Sequence, residues 1–272
     1  MQGRAAALRK EKKVRHVKNA VTNIVIIVCL AVLGFSSYKL YGIYKEYAKA
    51  EKEYAGISDK VVKQKEKKED TEKKEREEEE EDPCPITVDF NELREINEDV
   101  VGWIYCEDTV INYPVLKGKD NDKYLHRTME GQYNSSGSIF MDSRNRGDLS
   151  DLNTILYGHH MKNGSMFASL KKYSDQEYYE EHPVIWYLTP KKNYKLRVFA
   201  GFVEKHDSEI YSIFKKKEDM NKYLDKAREK SGFDPDESVS TLTDRDIKRI
   251  MVLSTCDYTF NNARYVLLCV CD

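Results

Sequence analysis

The sequence predicts a mainly β domain, an eight-stranded and closed or nearly closed barrel with a few peripheral helices, preceded by an N-terminal transmembrane helix and a charged stalk. Three observations predict it. Eight short segments of strand-like pattern follow one another through the C-terminal two thirds of the chain. An uncharged stretch of membrane-spanning length lies near the N-terminus. Between them runs a tract made mostly of Lys, Glu and Tyr, too polar to form a core of its own.

The chain has 272 residues and is 34% charged, yet 45 Lys plus Arg nearly cancel 47 Asp plus Glu, so no global field marks a nucleic-acid binder. The charges are segregated instead. Residues 1–19 form a basic head, with Arg4, Arg9, Lys10, Lys12, Lys13, Arg15 and Lys18 against the single acid Glu11. Residues 20–38, AVTNIVIIVCLAVLGFSSY, carry no charge. At about 1.5 Å per helical residue they match the hydrocarbon thickness of a bilayer. The positive-inside rule puts the head in the cytoplasm and everything after Tyr38 outside the cell membrane. The alternative is a cleaved signal peptide with Gly34 and Ser36 as its small residues, but the apolar run is long for a signal core and no A-x-A pattern follows it. Residues 39–85 read as an extracellular stalk, partly helical, with the acidic run Glu77 to Asp82 near its end, a solvated spacer rather than a partner-binding tail. Pro83 and Pro85 mark the boundary of a globular domain over residues 86–272.

That domain opens with VDFNELREINEDVVGW, where Phe90, Leu93, Ile96 and Val100 recur at helical spacing. Strands are predicted over Trp103–Cys106, Thr109–Val115, Ser138–Met141, Asn153–Tyr157, Val184–Leu188, Asn193–Glu204, Lys248–Thr255 and Arg264–Val270. In the longest, Tyr194, Leu196, Val198, Ala200 and Phe202 alternate with other residues, as a strand with one core face requires. Two helices interrupt the series, one opened by a Ser174/Glu177 capping box and one over about Glu218 to Lys230. Short strands with few helices are the pattern of a barrel.

Of six cysteines, Cys29 falls in the span and Cys84, Cys106, Cys256, Cys269 and Cys271 beyond it. An odd external number argues against a disulfide framework and for at least one free thiol. Cys269 and Cys271 fit a pair of small apolar strand residues better than a zinc site, since C-x-C with no second pair and no nearby His is poor ligand spacing. Chemistry concentrates at two strand ends. Asn153 to Tyr157 runs into Gly158, His159 and His160, and Arg249 to Thr255 runs into Cys256, followed by Arg264 at the start of the last strand. A thiolate beside an imidazolium is a ready nucleophile, the imidazole can protonate an amine leaving group, and an Arg can grip a carbonyl oxygen that gains charge. Spacing alone leaves the bland readings open: a buried apolar Cys, a surface His pair and a solvated Arg.

The residues themselves go further. Leu253-Ser-Thr-Cys256 resembles the nucleophile motif of sortases, and Tyr157-Gly-His159 resembles their catalytic-histidine motif. The wider text resembles class B sortases in particular: Val101-Gly-Trp-Ile104, Ile111-Asn-Tyr-Pro-Val115, Tyr124-Leu-His-Arg127, Gly137-Ser-Ile-Phe-Met-Asp142 with Arg144-Asn145, and Gly158-His-His-Met-Lys-Asn-Gly-Ser-Met-Phe167. The order His, Cys, Arg matches, and the basic head, single span and stalk look like the usual anchored layout. Val252 stands where the general motif opens with Thr, and the Cys256–Arg264 loop is short.

The resemblance implies a sortase barrel and a cysteine transpeptidase on the outer face of a Gram-positive bacterium. It implies Cys256 as nucleophile, His159 as general acid and base with His160 as the competing candidate, and Arg264 as stabiliser of the substrate carbonyl. By the same resemblance Ser254 and Asp257 touch the sorting peptide. The implied reaction cleaves a C-terminal sorting pentapeptide after Thr and passes the acyl group to an amine of a cell-wall peptide precursor. The implied partners are a sorting-signal-bearing surface protein, the wall amine and the membrane, with no nucleic acid. No metal or organic cofactor is expected, and no EF-hand loop or zinc spacing is present in the sequence. Three competing functions are a pilus-polymerising sortase using a pilin lysine, a membrane-anchored cysteine peptidase whose intermediate goes to water, and a tethered binding module with an inert Cys256.

Overall fold

The structure is a computed structural model that describes residues 2–65, 82–243 and 245–272. It divides into two units, residues 1–48 and 49–272. Helix α1 (Gln2–Val61) accounts for the first. It is the one helix among the described residues long and apolar enough to cross a membrane, and its Ile24, Ile27, Leu30 and Phe35 are exposed.

In the second unit the last turns of α1 are followed by β1 (Val62–Gln64), which pairs antiparallel with β2 (Ile86–Val88). The expected helix of the stalk continues to Val61, but from Ala50 onward one side of it is packed rather than solvated. Ala50, Tyr54, Ile57 and Val61 are buried, and Lys60 pairs with Glu92 at 2.6 Å. Three large apolar side chains at roughly 1.5–3 kcal/mol each outweigh the polar composition around them. Most of the acidic run, residues 77–81, lies outside the described residues.

Helix α2 (Phe90–Ile96) starts where the Asp89 carboxylate accepts the N–H groups of Asn91 and Glu92. It is shorter than the apolar spacing suggests, because Val100 already belongs to β3 (Val100–Tyr105). Then follow β4 (Asn112–Leu116), β5 (Ile139–Met141), β6 (Asn153–Tyr157), α3 (Gln176–Glu181), β7 (Val184–Leu188), β8 (Asn193–Lys205), α4 (Lys217–Lys230), α5 (Glu237–Ser240), β9 (Ile250–Cys256) and β10 (Ala263–Cys271). Two local expectations change. Glu107 and Asp108 form a turn and Thr109 and Val110 a bend where a strand start was expected, with Asp108 at φ 56° and the Cys106 N–H returning to the Ile111 carbonyl. The cap of α3 is Asp175 rather than Ser174, whose hydroxyl donates to the Lys171 carbonyl.

Strands β3 to β10 close into the expected eight-stranded barrel in the order β10-β8-β7-β3-β4-β5-β6-β9. The β4–β5 and β6–β9 pairs are parallel and the others antiparallel. Ile155, Phe199, Val252, Val266 and Leu268 pack with Met220, Leu224 and Ala227 of α4 into one apolar cluster. Their alternates Leu156, Leu253 and Leu267 are also fully buried. Both faces of this wall are therefore covered, which is why β9 and β10 read as continuous apolar runs.

Candidate active site

Two registers bring the chemical groups together. Parallel pairing sets Tyr157 of β6 beside Ser254 of β9, and the Gly158 N–H extends the ladder to the Ser254 carbonyl at 3.1 Å. His159 and Cys256, each two residues further on, thus leave the barrel at the same rim. Antiparallel pairing sets Arg264 of β10 directly across from Cys256. The intervening turn is held by the Asp257 N–H on the Ala263 carbonyl (2.9 Å) and by Asn262 at φ 61°. Gly158 is required where it stands, because a Cβ there would meet Ile139 Cδ1 at 2.5 Å and Phe167 Cδ2 at 2.7 Å.

His159, Cys256 and Arg264 line one cavity of about 500 Å³ together with Leu125, Tyr157, Tyr211 and Ser254. The His159 Nε2 lies 2.7 Å from the Leu125 carbonyl oxygen. A carbonyl only accepts, so Nε2 carries the hydrogen and Nδ1 is left with a lone pair for a proton. Burial and the neighbouring His126 and Arg264 hold the His159 pKa below its ordinary value, against the opposing pull of the Leu125 bond. Arg264 gives one N–H to the Ala263 carbonyl at 3.0 Å. Its guanidinium has four other donors.

His160 is placed differently. Its Nδ1 donates to the Cys256 carbonyl at 2.9 Å, its ring lies 5.6 Å from that of Tyr258, and it lines a separate cavity. Ser254 is buried in the Cys256 cavity, its hydroxyl 2.8 Å from that of Tyr211. Asp257 is not among the residues lining that cavity. Its carboxylate is taken up by Lys171 at 2.6 Å and by Thr259. Burial opposes ionisation of Asp257, but these partners prevail and its pKa is lowered.

Sequence reasoning gave no role to the polar support of the far wall. The fully buried Asp142 accepts a two-pronged grip from Arg144 (2.8 and 2.7 Å) and the Tyr157 hydroxyl at 2.8 Å. Arg144 also donates to the Tyr211 carbonyl at 2.7 Å. Burial would raise the Asp142 pKa, but Arg144 and the hydrogen bonds keep it below the usual carboxylate range. The Gly137–Asp142 segment with Arg144 and Asn145 was the available signal. Among the described residues, no group of three or more His, Cys, Asp or Glu could hold a metal ion.

With this geometry the chain matches a family model for the sortase domain over residues 104–271. Sortase B of Listeria monocytogenes is 41% identical over 172 residues, covering 62% of this chain and 67% of that protein. The crystal structure of sortase B from B. anthracis superposes with a TM-score of 0.67 at 34% identity, covering 84% of this chain and 99% of that one. A Staphylococcus aureus sortase B–substrate complex gives 0.61 at 37% identity, over 67% and 84%. The chain belongs to the sortase family, whose members are cysteine transpeptidases. Within that family its relatives are class B sortases of Gram-positive bacteria, and so is this chain.

Proposed function

We propose that Cys256 is the nucleophile, His159 the general acid and base, and Arg264 the oxyanion donor of a transpeptidation that cleaves a C-terminal sorting signal after Thr. The pairing of Cys256 with Arg264 across β9 and β10, with His159 in the same cavity, carries this assignment. His159 Nδ1 takes the thiol proton, and Cys256 Sγ attacks the Thr carbonyl carbon. Negative charge gathers on the carbonyl oxygen, where the Arg264 fork donates hydrogen bonds. The C–N bond breaks, His159 returns its proton to the departing amine, and a thioester remains on Cys256. An amine of a cell-wall peptide precursor then attacks the thioester, its proton passes to His159, and Cys256 leaves as thiolate.

Ser254 lines the cavity and is assigned to peptide contact. Asp257 serves the same step indirectly, since its carboxylate fixes the turn between Cys256 and Arg264 through Thr259 and Lys171. The protein partner is a surface protein bearing a sorting signal, in keeping with the substrate bound to the S. aureus relative. Residues 20–38 anchor the chain, with the basic head of residues 1–19 in the cytoplasm and the catalytic domain of residues 86–272 on the outer face. The test is product analysis on a pentapeptide library, with triglycine, a pilin-type lysine peptide or no amine added. Cleavage after Thr with transfer to triglycine is expected. Transfer only to lysine would make the chain a pilus polymerase, and hydrolysis unaffected by amine would make it a peptidase.

A further inference from the structure

We infer that Tyr54, on the last turns of α1, is a positioning residue for His159, bracing both segments that hold the imidazole; this rests on His159 being the acid–base residue. Tyr54 is 4% exposed although its neighbours Lys52, Glu53 and Lys49 are charged. Its hydroxyl donates to the Gly137 carbonyl at 2.7 Å and lies 2.9 Å from Ser138 Oγ. Gly137 has φ 56° and sits so close to the preceding segment that a Cβ would meet the Leu125 carbonyl oxygen at 2.5 Å. That oxygen is the acceptor of His159 Nε2. Ser138 ties the same segment from both sides, its N–H on the Tyr124 carbonyl (3.0 Å) and its hydroxyl on the Arg127 carbonyl (2.7 Å).

The second path runs through the ring. Tyr54 packs edge-on against Tyr113 with centroids 5.5 Å apart, and the Tyr113 hydroxyl accepts the Met166 N–H at 3.1 Å. The next residue, Phe167, donates its N–H to the His159 carbonyl at 3.1 Å. One buried side chain therefore supports the acceptor of the His159 ring and the loop that holds its backbone. Nearby contacts point the same way: Glu53 accepts the Glu130 N–H at 3.0 Å, and Glu51 accepts from Asn163 at 2.7 Å.

The brace predicts a defect in chemistry rather than in peptide binding, because Tyr54 is not among the residues lining the His159 and Cys256 cavity. Tyr54→Phe keeps the ring and removes the hydroxyl. In the full chain it should lower kcat about tenfold, a fraction of the roughly 10²-fold that a 1 Å misplacement costs, and leave the KM for the sorting peptide unchanged. His126, Arg264 and the Leu125 carbonyl act on the His159 ring, and Asp122, Arg144, Tyr157, His206, Asp207, Tyr211 and Cys256 line the same cavity. Only the Leu125 bond is weakened by the change, and that bond favours the protonated ring, so the acid limb of the rate should move to lower pH. Ser138→Ala should act alike, and the double variant should lose little more than either single one. Wild-type kcat and an unmoved acid limb in both single variants, with His159→Ala inactive, would overturn the brace alone. Full activity of His159→Ala would overturn the assignment of His159 and the brace with it.

Discussion

Cys256 and Cys269 lie on adjacent strands of one barrel wall, and they have opposite fates. Cys269 is fully buried, and burial pushes its thiol well above the ordinary range; Cys271, two residues on, is raised to about 12. Cys106, also buried, has its thiol raised and lies 3.7 Å from the Tyr173 hydroxyl. Cys256 ends its strand at the open rim, partly exposed, with Arg264 across from it and His159 sharing its cavity. The same residue type in the same sheet is packing material inside the barrel and, at the edge, the partly exposed thiol to which the proposed function gives the nucleophile's part. What distinguishes them is the end of hydrogen-bonded pairing, where a side chain meets both solvent and the segments that carry an imidazole and a guanidinium.

The sharpest way to break this contrast is to exchange the roles. Cys256→Ala should abolish peptide cleavage and amine transfer, whereas Cys269→Ala should keep turnover and lose roughly 1 kcal/mol of stability in a denaturant titration. Next in size is the histidine pair. His159→Ala should lose about 10²–10⁴-fold in kcat/KM, the usual worth of general acid–base catalysis. His160→Ala should lose much less, since its ring serves the Cys256 carbonyl and a different cavity. A reversed ranking would transfer the role.

Arg264→Ala should fold and lose roughly 10²–10³-fold, as for a removed oxyanion donor. Arg264→Lys should also be impaired, because it keeps the charge and loses the fork. Near-wild-type transfer by the Lys variant would show that charge suffices. The smallest effect is a shift in pH. Above its pKa the His159 ring is neutral and can take the Cys256 proton; below it the ring is already protonated. Because burial, with His126 and Arg264 nearby, lowers that pKa, the acid limb of kcat/KM should fall below about 6.5, the ordinary histidine value. A limb above that value would contradict the buried setting.

The barrel was legible because its strands repeat with period two or as short apolar runs between turn residues, and β6 and β7 match their expected bounds. The docking of Lys49 to Val61 was missed, although Ala50, Tyr54, Ile57 and Val61 follow one another at helical spacing. The Lys and Glu between them set the composition of a solvated tract and mask the apolar period beneath. The cap of α3 was misplaced by one residue because Ser174 and Asp175 are both good cap formers and only tertiary contacts choose between them. At the site, Cys256, His159 and Arg264 stood out by side-chain chemistry. Leu125 could not, since it acts through a backbone carbonyl that every residue type supplies. The resemblance puts Asp257 against the sorting peptide; what the sequence does not show is that its carboxylate is engaged with Lys171 and Thr259.

The central claim is that the acyl group rests on Cys256 and on no other thiol. Peptide mapping by mass spectrometry after rapid acid quench of the enzyme with a sorting peptide reads this directly. A thioester of the peptide's N-terminal part, ending in Thr, should be found on the fragment holding Cys256, disappear when triglycine is added, and be absent from Cys256→Ala. An adduct on Cys29, Cys84, Cys106, Cys269 or Cys271, or turnover by Cys256→Ala, would contradict it.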